Sequence, residues 1–515
     1  MRLLVGTLLL LAVQGTGRVE ILVHDSTTRE GVPGVPITLT FKVPNEPAGP
    51  ANTLVTDPRG LTTFSALRAG AYTINIGEGF QAVSSSENVL VEAGTQKRLE
   101  IPVKRVTTVA GKIVDQNGTP SVAAVITLLS MVYVDGRQVL RSAARTTINR
   151  EGKFGMTGVP FGEYYMRIEN ESPWSVAYYP GVADLSSATK LTIRDQTPFS
   201  VEIKLPDHPR FKVSGSVIHS PSEAGGALTV YIAHDNAILQ EEPFFAAASS
   251  VRVSSSEVRF ELNDIPAGSY ILYTVLGTRS IGILGRENLR VEDRDVQNLN
   301  IALKPMVGIR GRVVVKDSQA RSPETLRIAT PSRESFPPLL VSDLSRSPIA
   351  VSRSGEFAVR NLVDGARYGL SVEGLPSGAY VSDIRLGSRS IIADSSFIAS
   401  LTEESFEVEV SMPGGFLRGI VRDAAGQPAR AFVTAVPDFT RRKNPVFFKR
   451  TSTDSRGQFA IEGLAPGEYQ LFAWPAAPPQ GAEADPSFLG PFESRSTTVR
   501  VNLGVNTDAS LRLIQ

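Results

Sequence analysis

One phrase recurs five times along the chain and constrains its fold more than any other feature. It is a phenylalanine, alternating apolar residues, a glycine turn and a tyrosine. The copies are Phe64–Tyr72, Phe154–Tyr164, Phe260–Tyr270, Phe357–Tyr368 and Phe459–Tyr469, and the first is two residues shorter than the next two. Their turn glycines, at 70, 162, 268, 365 and 467, lie 92, 106, 97 and 102 residues apart. A 515-residue chain is too long for one hydrophobic core. A period near 100 residues divides it into units of ordinary domain size.

Further parts recur in the same order within each unit. An opening strand comes first: Val19–Asp25, Val109–Asp115, Val213–His219, Ile309–Asp317 and Leu417–Asp423. Alternating strands close the units, as in Phe199–Leu205, Leu299–Leu303 and Phe406–Val410. Alternation of period two sends one face of a strand to a core and the other to water. Asp57-Pro-Arg-Gly60, Asn149-Arg-Glu-Gly152 and Asp454-Ser-Arg-Gly457 precede the Phe strand. There the Asp or Asn side chain can bond nearby N–H groups, and glycine takes the positive φ of a tight hairpin. The tyrosine after the glycine turn is expected to bury its ring and give its hydroxyl to a backbone group at the corner. With 44 Gly, 34 Pro and only 20% charged residues, composition also favours strands and turns over long helices.

These features predict an all-β chain of tandem seven-stranded antiparallel β-sandwiches. The expected boundaries are 18–105, 106–206, 207–304, 305–412 and 413–515, after a signal peptide at 1–17. In that leader Arg2 is the positive region and Leu3–Val13 the apolar stretch, with small residues at Gly15, Thr16 and Gly17. No later segment is apolar over the length a transmembrane helix needs. Export to the periplasm, cell surface or medium is therefore expected. Once Arg2 is removed, basic and acidic residues balance at 52 each, which argues against nucleic-acid binding and a polybasic membrane anchor. The cluster Arg441-Arg442-Lys443 reads as a solvated loop. Cysteine is absent, which excludes disulfides, thiol catalysis, cysteine-ligated metal and lipid attachment at cysteine.

The recurring pattern resembles the carboxypeptidase regulatory-like domain, a transthyretin-like sandwich also related to carbohydrate-binding-like folds. The second repeat (Gly111, Asp115, Gly118, Pro120, Gly152, Phe154, Gly162, Tyr164) and the fifth carry it best. In the fifth the matching residues are Gly419, Asp423, Gly426, Pro428, Thr453, Asp454, Gly457, Phe459, Pro466, Gly467 and Tyr469. The first repeat lacks the opening glycine, the third has Ser255-Ser256 where the turn glycine belongs, and the fourth has an expanded opening. The resemblance implies multi-copy bacterial envelope proteins, and it implies a fold without fixing a function.

No catalytic constellation stands out. The four histidines, His24, His208, His219 and His234, form no zinc-peptidase pattern, and neither a Gly-x-Ser-x-Gly elbow nor a phosphate-binding glycine loop is present. Each histidine reads as a strand-end or loop residue. Asp115-Gln-Asn117-Gly118 reads as a hairpin turn, because calcium needs more oxygens and a distal bidentate carboxylate. The candidate ligand-binding residues are loop aromatics: Trp174, Tyr178, Tyr179 and Trp474. Flat rings in the open stack on sugars or partner side chains, whereas the same rings folded inward cap the end of a sandwich. The expected function is non-enzymatic extracytoplasmic binding or scaffolding, with a polysaccharide or an envelope protein as partner and no cofactor or metal. The alternatives are carbohydrate binding through the loop aromatics and a pure structural spacer. Joined end to end, such units give a rod on the order of 150 Å. The oligomeric state is not set by the sequence.

Overall fold

The computed structural model describes residues 16–42, 49–83, 88–121, 123–134, 136–171, 174–206, 209–218, 227–235, 245–252, 257–277, 283–316, 323–334, 336, 348–401 and 404–514. Most of the expected leader lies outside these residues, and the first strand begins at Thr16. The fold is all-β, as the alternation requires, with a few short helical turns. The chain forms two compact units. One comprises the residues up to Gly111 with 155–163 and 192–201; the other comprises 112–154, 164–191 and 202–515.

In the first unit, a sheet of Ala51–Val55, Pro36–Phe41, Gly70–Ile76 and Asn88–Val91, in that order, is one layer. The strands Thr16–Asp25 and Leu61–Arg68 belong to the other. Val19, Ile21, Val23, Ile37, Leu39, Phe64 and Ile101 are fully buried between them. The strand Gln96–Val114 runs 19 residues without a break, so the boundary expected at 105/106 falls inside it.

The reason is a parallel pairing. Arg18–Asp25 runs parallel to Gln96–Val103. The same first-to-last pairing recurs in the third repeat (Arg210–Ile218 with Val296–Ala302), the fourth (Val307–Lys316 with Phe406–Ser411) and the fifth (Gly415–Arg422 with Asn506–Arg512). The sandwiches are thus antiparallel except for one parallel pair. Parallel neighbours start at the same end and finish at the same end. A repeat that begins and ends on such a pair delivers the chain to its far side, where the next repeat begins.

The fifth repeat is the most regular. Gln458–Leu464, Gly415–Arg422 and Asn506–Arg512 form one layer, and Lys449–Ser452, Phe432–Pro437, Gly467–Trp474 and Thr497–Val501 the other, seven strands in all. Between the layers lie Leu417, Val421, Val433, Phe459, Ile461, Leu464, Tyr469 and Leu471. The repeated Gly–Phe spacing has a direct cause here. Gly419 pairs with Phe459 across the sheet, and a Cβ on Gly419 would stand 2.8 Å from the ring. Gly311 and Phe357 pair alike, as do Gly215 and Phe260. The glycine leaves the space that the facing ring fills.

The expected turns and corners form. Asp454 Oδ1 accepts from the N–H groups of Arg456 and Gln458, Asp57 Oδ1 from Arg59 and Leu61, and Asn149 Oδ1 from Glu151 and Lys153, all at 2.8–2.9 Å. The tyrosine hydroxyls of Tyr72, Tyr270 and Tyr469 donate to the carbonyls of Arg68, Pro266 and Ala465. In the fourth repeat the extra residue before Tyr368 changes the partner, and its hydroxyl accepts from the Val363 N–H at 3.0 Å.

The repeats of the second unit do not keep private cores, as alternation alone leads one to expect. Leu129, Leu140, Val176 and Tyr178 of the second repeat are buried in one apolar cluster with Val213, Val230, Phe260 and Ile301 of the third. Ala233, Tyr273 and Val275 of the third join the core of the fourth. A sandwich of about 100 residues is open at its ends, and the adjoining repeat covers the apolar side chains that its own sheets leave uncovered. The segment Lys304–Pro305, which spans the expected boundary between the third and fourth repeats, pairs with Ile283–Leu284 and extends the third repeat's sheet.

Candidate functional site

Loop aromatics either stand in the open or cap a sandwich end, and the structure turns Trp474 and Tyr178 inward. The strand Gly467–Trp474 ends on Trp474, which is 5% exposed. Its ring stacks on Phe472 at 5.5 Å with 9° between planes and meets Phe488 and Phe492 at 5.7 and 5.0 Å. Its indole N–H donates to Thr434 Oγ1 at 3.2 Å. The proline-rich segment after it is an ordered cap. Short helical turns at Ala482–Ala484, Pro486–Leu489 and Gly490–Arg495 bring Leu489, Phe488 and Phe492 over the indole. The Asp485 side chain caps the middle turn by accepting from the Ser487 N–H at 2.8 Å.

Tyr178 is also 5% exposed and lies in the cluster shared by the second and third repeats. Burial pushes its hydroxyl pKa up to about 12. It seals a joint between repeats. Tyr179, the next residue, is half-buried. Trp174 begins the strand Trp174–Tyr178, but its side chain lies outside the described residues. Trp474, Tyr178 and Tyr179 are therefore not brought together on one surface. Alternation explains the split, since neighbouring strand residues face opposite ways and the packing partners lie in other repeats.

The basic cluster is not the solvated loop that its charge implies. Arg442 is buried; it donates to Glu493 Oε1 at 3.0 Å and to the Pro437 carbonyl at 3.2 Å, and it bonds Gln470. Arg441 pairs with Asp438 at 2.6 Å and lies over the rings of Phe447 and Tyr469, 5.1 and 5.2 Å from their centroids. These residues clip the proline-rich cap and the glycine turn to the sandwich. Only Lys443 is exposed. Phe439, which the sequence reading did not single out, is 74% exposed.

The other chemical candidates take structural roles. Asp115 Oδ1 accepts from the Asn117 and Thr119 N–H groups at 2.8 Å, as a hairpin turn requires. His24 is buried at a strand end, with Nδ1 3.0 Å from the Asp25 carbonyl oxygen. His234 ends the strand Ala227–His234 beside the Tyr270 ring, and burial, with a smaller contribution from the Arg167 charge, pushes its pKa down to about 4. His208 and His219 lie outside the described residues. Among the described residues no three His, Asp or Glu side chains converge in a way that would hold a metal ion.

One concave feature was not foreseen. A cleft of about 670 Å³ lies between the hairpin of the second repeat and the proline-rich cap of the fifth, lined by Met131, Tyr133, Arg141, Phe448, Arg450 and Glu483 among others. On its wall Arg450 pairs with the buried Glu483. Sequence could not find it, because its two walls are more than 300 residues apart.

No family model matches the chain, and no curated protein matches it. Solved structures with β-domain likeness include the TIE protein of Bacillus anthracis (13% identity, 56% of this chain and 51% of that one, TM-score 0.17). GBS52, the minor pilin of Streptococcus agalactiae, is 18% identical over 38% of this chain and 98% of its own, with TM-score 0.16. A streptococcal ancillary pilin is 10% identical over 56% and 99%, with TM-score 0.18. The chain spans about half the length of the TIE protein. No described helix is long and apolar enough to cross a membrane.

Proposed function

We propose that this chain is an exported, non-enzymatic scaffold of five regulatory-like sandwich repeats that holds contact surfaces in a fixed relation. The observation that carries this reading is the shared core. The third repeat's Tyr273 ring meets Phe336 of the fourth at 6.1 Å, and Phe336 continues through Tyr368 and Phe397 to Phe406. Beside it Arg286 and Glu334 pair at 3.0 Å across the same joint. Between the fourth and fifth repeats, Tyr380, Phe447 and Ala465 are buried together, and Asn444 Nδ2 donates to the Ile392 carbonyl at 2.7 Å. Aromatic rings buried at a joint stabilise it, and an apolar joint restrains the relative motion of the repeats it connects.

The test is capture from an envelope extract by the chain lacking residues 1–17. A defined envelope partner supports the scaffold; no partner at any concentration supports the spacer. Carbohydrate binding is the second reading, favoured by the cleft, whose Tyr133 and Phe448 stand beside polar and charged groups. A glycan array decides it. Binding abolished by Phe448→Ala in a folded variant supports it, and an array without hits removes it.

A further inference from the structure

The second and fifth repeats touch without being neighbours in the chain. Gln138 Nε2 donates to Asp485 Oδ2 at 3.0 Å, across 347 residues. The Tyr133 ring meets Phe488 edge-on at 6.0 Å. Between them Gly136, at φ +73°, is seated so closely that a Cβ there would stand 2.7 Å from the Cβ and carbonyl oxygen of Ala484. The end-to-end series expected from the even period does not describe this pair.

We propose that the hairpin Ala124–Thr147 is a clasp that closes on the proline-rich cap of the fifth repeat and can be released from it. The hairpin is built for reach, with strands of 11 residues each, Ala124–Val134 and Arg137–Thr147. Near its tip lie Tyr133, Gly136 and Gln138, which touch the cap. Their partners, Ala484, Asp485 and Phe488, belong to the short turns that cover Trp474. The character of the contact differs from that of the joints. Second and third repeats, and third and fourth, share buried apolar clusters, whereas the contacts described between hairpin and cap include a polar bond, a ring edge and a glycine seat. Contacts of that kind are worth little each and are exchanged readily for water. Opening would undo the cleft, whose walls are the hairpin and the cap, and would uncover the edge of Phe488. A molecule held in the cleft would then stabilise the closed form by its preference for it.

The chain lacks cysteine, so a cysteine pair reports on the clasp alone. In the full chain carrying Gly136→Cys and Ala484→Cys, mild oxidation is expected to give an intrachain disulfide. It would show as a reducible, faster-migrating monomer formed at least about tenfold faster than in the urea-unfolded chain. Since Cys at position 136 strains the turn, a second variant, Gln138→Cys with Asp485→Cys, is treated with a short bis-maleimide and should give the same monomer. Adding Gln138→Glu to the first pair sets a carboxylate against Asp485 and should slow trapping several-fold at pH 7. Trapping no faster than in the unfolded chain, or disulfide-linked dimers in place of monomer, overturns the proposal. Trapping indifferent to Gln138→Glu overturns the releasable clasp in favour of a fixed joint.

Discussion

The Tyr469 hydroxyl donates to the Ala465 carbonyl four residues before it, at 3.0 Å, at a corner where both residues are buried. The bond holds the chain through the Pro466-Gly467 turn and lets the ring reach the core of the fifth repeat. Tyr469→Phe keeps the ring and orphans a buried carbonyl. The expected cost is about 1–3 kcal/mol, read from the urea midpoint of the fifth repeat's transition, with little change in far-UV spectrum.

Gly419→Ala tests the cross-strand glycine. Its methyl would press on the Phe459 ring and on the neighbouring strand at Ala509. Overpacking of this kind costs about 1–3 kcal/mol. Phe459→Leu should recover part of that loss in the double variant, so the two substitutions are non-additive. Additive effects in urea titrations would count against the pairing.

Trp474→Ala removes the ring on which the proline-rich cap rests. The expected destabilisation is about 3–5 kcal/mol. The cap itself should loosen first, so trypsin is expected to cut the variant at Arg495 well before the intact protein. Arg442→Gln should produce the same early cut with a smaller loss of stability, since Arg442 ties Glu493 to the sandwich.

His234 sets a pH dependence. The folded protein holds its pKa near 4, below the value of about 6.5 in an unfolded chain. Between these values the unfolded chain takes up a proton that the folded protein refuses. Stability from this residue is therefore complete above about pH 7, falls as pH drops through that window, and levels off below pH 4. The total is at most about 3 kcal/mol. In His234→Gln that loss should be missing, seen by comparing urea midpoints of the two proteins at pH 7, 5.5 and 4.5.

Much of the fold was legible because its causes are local. The Asp454, Asp57 and Asn149 turns form within four residues, and the tyrosine corners of Tyr72, Tyr270 and Tyr469 within four more. Parallel first-to-last pairing was not legible, since strand direction within a sheet leaves no mark on alternation. The candidate site was legible only as a set of residues. Trp474 and Tyr178 announce themselves as large rings at strand ends, yet what covers them is Phe488 and Phe492 in one case and the third repeat in the other.

By itself, then, the sequence determined that the chain is a string of similar all-β sandwiches and where each hairpin and corner lies, because those depend on side chains within a few positions of one another. Only the tertiary structure decided which rings are sealed in joints, that Arg441 and Arg442 are clips, and that a hairpin of the second repeat meets the cap of the fifth. Those outcomes depend on apolar area left over at sandwich ends and on which distant surface comes to bury it.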